Sequence, residues 1–114
     1  MDRVSLDDVE ATEAVDDVFL SVLAGGEKMN VQHFRIEPGA VVPMHDHHHE
    51  QVGYIVAGEL TFIVGDDEEE LVFGPGDAYS LAGNEPHSAE NRGDETVTGI
   101  DVFSPPRDFA DWQE

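Results

Sequence analysis

His45-Asp46-His47-His48-His49-Glu50-Gln51 is the stretch from which the rest of the chain is read. In an extended strand side chains alternate, so His45 and His47 share one face, as two ligands of one metal ion require. A straight strand would carry Gln51 roughly 20 Å from His45, at about 3.3 Å per residue. One ion needs every donor within about 2–2.5 Å of itself. If Gln51 joins the same ion, the chain therefore turns or bulges around His48–Glu50. That turn restarts the alternation and takes His49 off the ligand face. Taken alone, the run is equally the composition of a surface chelator. Further along, His87 stands between Pro86 and Ser88, by itself the setting of an ordinary loop histidine, and His33 reads as structural.

Around this run the chain is punctuated like an all-β domain. Short β-prone segments recur at Val18–Leu23, Val31–Ile36, Ala40–Met44, Gln51–Val56, Leu60–Val64, Glu70–Phe73, Ala78–Leu81 and Val97–Phe103. Turn-forming glycines, prolines and aspartates separate them, as in Gly74-Pro75-Gly76-Asp77. Spacing of about 8–12 residues between such runs points to a sandwich or barrel. Helical signal is weak: Ser5 with Asp8 opens at most one short turn. Pro105-Pro106 ends the last strand, and the tail beyond it is expected to pack Phe109 and Trp112 against the barrel. The reading is one domain over residues 1–114, with its core at 18–103 and a tail at 104–114.

The 114 residues include 26 acidic and 5 basic side chains, a formal net charge of -21. Nucleic acid, which needs the opposite sign, is excluded as a partner. Scattered acids of this kind form a solvated surface suited to a salt-rich cytoplasm and self-repelling at low salt, so a halophilic source is expected. No apolar run approaches the ~20 residues of a membrane-spanning helix. Residues 1–10 lack the basic start and apolar stretch of a signal peptide, so a cytoplasmic location is expected. There is no cysteine, so any metal here takes nitrogen and oxygen ligands.

Gly39-x5-His45-x-His47-x3-Gln51-x6-Gly58 resembles the first signature of the cupin superfamily, and Gly76-x5-Ala82-x-Asn84-x2-His87-x3-Asn91 resembles the second. The resemblance covers residues 30–103 and implies a double-stranded β-helix, or jelly-roll, barrel. It also implies that His45, His47, Gln51 and His87 converge on one divalent transition metal ion, with zinc, nickel, manganese and iron not distinguished by such a donor set. Ala82 and Asn84 depart from the pattern's proline and glycine only in a turn. Gln51 stands where the general pattern has glutamate. A neutral amide leaves the ion its full charge, which favours an anionic ligand and lowers the pKa of bound water.

Ile100-Asp101-Val102-Phe103-Ser104-Pro105-Pro106-Arg107 is the second informative stretch. Alternation puts Asp101 and Phe103 on one face and Ile100 and Val102 on the other. With the apolar pair outward, Asp101 points into the metal-bearing cavity, where a buried carboxylate suits a general base. Arg107 suits bidentate capture of a carboxylate; chemistry alone favours instead an Asp101–Arg107 pair that merely pins the tail. With the histidine motif, this ending resembles the small cupins of pectin and alginate catabolism, which convert 4,5-unsaturated monouronates towards linear keto acids. The resemblance implies catalytic roles for Asp101 and Arg107, and substrate-binding roles for Phe103 and Arg107. It leaves three readings open: such a uronate-processing enzyme, a metal-dependent dioxygenase, and a non-catalytic cupin that binds or senses a metal or small acid. It also implies a homodimer paired through sheet edges, which protects exposed strands.

Overall fold

The computed structural model describes residues 1–114. Its strands are β1 (Thr12–Val15), β2 (Val18–Gly25), β3 (Asn30–Ile36), β4 (Val41–His45), β5 (Glu50–Ala57), β6 (Leu60–Val64), β7 (Glu69–Phe73), β8 (Ala78–Leu81), β9 (His87–Glu90) and β10 (Val97–Ser104). A single 3-10 turn at Leu6–Asp8 precedes them, with Ser5 at its start but no cap from the Ser5 side chain. Two antiparallel sheets form the jelly roll. One runs β1-β2-β3-β10-β5-β8 and the other β4-β9-β6-β7.

All eight expected strands are present, and two further ones complete the sheets. β1 lies among acidic residues and is secured by pairing with β2. β9, His-Ser-Ala-Glu, has little β-propensity of its own. It is held on both sides, by β4 and by β6, so tertiary pairing overrides local preference.

Register gives the barrel an apolar half and a polar half. β3 and β10 align Val97 with Ile36, Gly99 with Phe34, Asp101 with Gln32 and Phe103 with Asn30. The same gradient runs from Ile55 to Gln51 on β5, from Val42 to His45 on β4 and from Ala89 to His87 on β9. Val18, Phe34, Ile36, Ile55, Leu60, Phe62 and Val97 fill the apolar half. Each fully buried side chain of this kind stabilises the fold by about 1.5–3 kcal/mol. Burying polar groups costs free energy unless they are paired, so the apolar half carries the stability and the polar half is free to carry chemistry. Gly58 closes the turn between β5 and β6 at a φ of 81°, and a Cβ there would lie 2.6 Å from the Thr96 carbonyl oxygen. Only glycine fits it without strain.

Beyond β10 the tail folds back over the polar end. Asn30 clamps it by accepting from the Arg107 backbone N–H and donating to the Arg107 carbonyl, both at 2.9 Å. Trp112 packs against the core as expected, but Phe109 does not: it is 60% exposed, and Ala110 takes the buried position at 2%. The tail bends at Asp108–Phe109, and it is the small side chain, not the ring, that is buried.

Candidate metal centre and acid-binding cavity

β4 ends at His45, so His47 does not share a strand with it; His47 sits in the irregular segment that follows, before a bend at His48–His49. The common face foreseen from alternation is reached by another route. Val42 pairs with Ala89 and His45 with His87, so β4 carries one extra residue over β9. Such a bulge re-aims the side chains beside it. His45 thereby stands directly across from His87, ring centroids 4.3 Å apart, and the bend folds His47 to within 5.0 Å of His87. One nitrogen from each of His45, His47 and His87 lies within 4.8 Å of the others. His49 is not part of this cluster.

Hydrogen bonds fix how these rings are protonated. Nδ1 of His45 faces the Pro43 carbonyl at 2.7 Å, Nδ1 of His47 the His49 carbonyl at 3.0 Å and Nδ1 of His87 the Glu85 carbonyl at 2.8 Å. A carbonyl only accepts, so each Nδ1 carries the proton and each Nε2 presents a lone pair. Metal-ligating histidines are oriented in this way. Burial lowers the pKa of all three, that of His45 to about 4, so the rings are neutral at pH 7. Gln51 supplies the fourth donor: its Oε1 lies 3.1 Å from His47 Nε2. Gln51 also lies near enough to the Asp101 carboxylate to favour its anion, and an amide that turns its N–H towards that carboxylate turns its oxygen towards His47. Two lone pairs then face one another across 3.1 Å, an arrangement that a cation between them reconciles. The donor set thus fits a divalent ion with three nitrogen ligands and one oxygen ligand.

Beside the histidines, Asp101, Gly53 and Tyr79 lie in one row across β10, β5 and β8. Outer members of such a row are separated by two strand spacings, about 10 Å in all. They meet because the middle residue has no side chain. A Cβ on Gly53 would overlap both the Tyr79 ring and Asp101 Oδ1. Tyr79 Oη donates to Asp101 Oδ1 over this gap at 2.5 Å. Burial raises the Asp101 pKa to about 6, against the opposing pull of Tyr79, Gln51 and Arg107. Tyr79 was not among the residues singled out in the sequence. A glycine inside a strand, which marks close approach, is the one signal that pointed to it.

Arg107 is buried, and burial lowers its pKa to about 10. It belongs to none of the chain's ion pairs, which are Arg35–Glu37, Arg92–Glu70 and Arg92–Glu90. The simple tail-pinning pair with Asp101 therefore does not form; Asn30 pins the tail instead. The guanidinium carbon lies 3.8 Å above the Phe103 ring, and Phe103 is fully buried behind it. His45, Gln51, His87, Asp101, Arg107 and Trp112 all line a cavity of about 50 Å³ at this end of the barrel.

The histidines have a consequence for the metal-free protein. His33, His45, His47, His49 and His87 all have lowered pKa values when folded, so the unfolded chain takes up their protons first as pH falls. Their contribution to stability is present above about 6.5 and is lost on acidification, for His45 down to about 4. Asp101 runs the other way: raised to about 6, it favours the folded state as pH falls through that value. Five groups against one give a net loss. In 1 M salt, which shortens the Debye length to about 3 Å and mutes surface repulsion, the melting temperature at pH 5 should lie below that at pH 7.5. An equal or higher value at pH 5 would contradict the burial of neutral imidazoles.

A family model described as a cupin domain matches residues 32–103. A protein named H2HPP isomerase from Bacillus subtilis is 36% identical over 67 residues, which cover 59% of this chain and 28% of that protein. The chain therefore spans little more than a quarter of that relative's length. KdgF from Halomonas sp. superposes with a TM-score of 0.83 at 24% identity, covering 95% of this chain and 96% of that one. An RmlC-like cupin from Shewanella frigidimarina gives the same TM-score at 25% identity, covering 95% of each chain. The polyketide cyclase RemF from Streptomyces resistomycificus gives 0.82 at 23% identity, covering 91% of this chain and 79% of that one.

Proposed function

The chain belongs to the cupin domain family, and on that premise we propose that its barrel is the active site of a metal-dependent, non-redox enzyme that opens small 4,5-unsaturated uronates to linear keto acids. The observation that carries this reading is the pairing of a buried arginine outside every ion pair with a buried carboxylate of raised pKa, both lining the cavity of the histidine triad. A guanidinium so placed calls for an anionic ligand. A carboxyl group that titrates near neutrality suits proton transfer. Further support comes from the likeness of the Ile100–Arg107 ending to that of the uronate-processing cupins. The isomerase name of the Bacillus subtilis relative accords with chemistry that involves no net oxidation.

A divalent ion held by His45, His47, Gln51 and His87 would supply Lewis-acid polarisation of a substrate oxygen. Arg107 binds the uronate carboxylate, its plane held by the Phe103 ring beneath; Phe103 therefore serves substrate binding through Arg107, not by contact. Hydration places a hydroxyl on C5 and a proton on C4. The resulting hemiketal opens by breaking the bond between C5 and the ring oxygen, and the hydroxyl proton moves to that oxygen. Asp101 takes and returns the proton in these transfers, and Tyr79 fixes the carboxylate from the other side. Metal-loaded protein incubated with an unsaturated monouronate should bleach the conjugated chromophore faster than buffer does. No acceleration would overturn the reading, and oxygen uptake during turnover would replace it with the dioxygenase.

A homodimer is the proposed assembly, and the outer face of the six-stranded sheet is the surface that best suits it. Val52, Tyr54 and Val56 are 44%, 44% and 55% exposed there. The adjoining groove, lined by Val52, Gly53, Tyr54, Ala78, Tyr79, Ser80, Ile100 and Val102, contains no charged residue. Two chains of charge -21 approach only where acids do not oppose acids. Light scattering should give a dimer mass for the wild type and a monomer mass for Tyr54→Asp with an unchanged circular dichroism spectrum. A monomeric wild type would exclude the assembly.

A further inference from the structure

Three buried side-chain polar atoms in the chain lack a hydrogen-bond partner: His49 Nδ1, Arg107 Nε and Trp112 Nε1. Buried donors without partners are rare in folded proteins, and each calls for an explanation. Arg107 and Trp112 both line the cavity of the histidine triad; His49 does not. Trp112 reaches it from the tail, its ring 5.6 Å from that of His45. Were Trp112 only a plug, a phenylalanine or leucine would pack against the same core with no stranded donor. The indole is an expensive choice unless its N–H acquires an acceptor.

The tail that carries Trp112 is tied at two places. Asn30 holds the Arg107 backbone, and the Glu114 N–H donates to the Ala14 carbonyl at 2.7 Å. Between these ties the fold supplies one backbone bond, Gln113 N–H to the Ala110 carbonyl, a buried methyl group at Ala110 and the packing of Trp112 itself against the core. The cavity, partly open to the outside and about 50 Å³ in volume, has room for a few waters at roughly 10–15 Å³ each. A sugar acid needs more, since small-molecule pockets are typically about 300–1,000 Å³. Admitting the ring of such a ligand requires the lining, to which Trp112 belongs, to shift around it, and the indole then lies against it.

We infer that Trp112 is part of the ligand-binding surface, donating its indole N–H to an oxygen of a small acid whose carboxylate Arg107 holds. The identity of that acid as a uronate rests on the function proposed above; the role of Trp112 rests on the two unpartnered donors that share the cavity. Because Trp112 is the one tryptophan in the chain, its emission, excited selectively over that of the two tyrosines and read at constant metal loading, reports on the surroundings of this side chain.

The test uses the full-length, metal-loaded protein titrated with a saturated uronate, D-galacturonate, which has no double bond to hydrate, and in parallel with succinate. Emission should change saturably and follow the same isotherm as calorimetry. Trp112→Phe keeps an aromatic ring but removes the donor. It should weaken binding roughly 3- to 10-fold, the loss expected for one hydrogen bond, with melting temperature and metal content unchanged. Emission that stays constant at saturation, or wild-type affinity in Trp112→Phe, would overturn the assignment. So would a loss of affinity matched by a fall in melting temperature or metal content, which marks a structural role. If succinate binds and shifts the emission while galacturonate does not, the uronate reading fails and the Trp112 assignment stands. Binding of neither acid overturns both.

Discussion

Asp101→Asn is expected to slow the opening of an unsaturated monouronate by roughly 10²–10⁴-fold, the range in which positioned acid–base groups act. Asparagine fills the same space and still accepts from Tyr79, so the row Asp101–Gly53–Tyr79 survives. What it cannot do is take up a proton. Asp101 is suited to that task because burial holds its pKa at about 6 against three groups that favour the anion. As a base it must be ionised, so the wild-type rate should fall as pH drops through that region. A bound cation would move the limb below about 6, since positive charge favours the carboxylate. In Asp101→Asn the limb should vanish together with the rate. Metal content should not change, because Asp101 is not among the ligands. A variant with more than a tenth of wild-type turnover, or an unchanged pH limb, would remove Asp101 from the mechanism.

His87→Ala is expected to weaken metal binding by more than ~100-fold, beyond the 10–100-fold typical of losing a group that merely orients a ligand. His87 is 3% exposed, stands opposite His45 in register, and has its Nδ1 proton committed to the Glu85 carbonyl. No fourth histidine replaces its Nε2, since the cluster whose nitrogens lie within 4.8 Å of one another comprises His45, His47 and His87 alone. Competition against a chelator of known affinity measures the change. Affinity within about 3-fold of the wild type would place the ion elsewhere.

How much of this was legible in the sequence depends on whether the relevant signal is local. Strand runs and their turns were, because alternation and turn chemistry are short-range properties. β1 and β9 were not, since Thr12–Val15 and His87–Glu90 become strands only through partners distant in sequence. The alternation of β10 was correctly read, with Asp101 and Phe103 buried and Ile100 and Val102 less so. The turn that sets His49 apart was deduced from reach alone, and the bend at His48–His49 lies in that interval. The route of His45 and His47 to one point was not foreseen, because a bulge in β4 is a property of the β4–β9 pair. Tyr79 stayed hidden for the same reason. Its hydroxyl meets Asp101 across an intervening strand, and nothing near Tyr79 in the sequence says so. The Asn30 clamp on Arg107 spans 77 positions and is likewise a fact of the folded chain only.

Elemental analysis of the purified protein after loading and desalting tests the central claim most directly. One divalent transition metal ion per chain is expected, lost when His45, His47 and His87 are replaced together by alanine in a protein that keeps its β-sheet circular dichroism. A wild-type chain that retains no ion, or a triple variant that retains one, would contradict the assignment of the barrel as a metal centre.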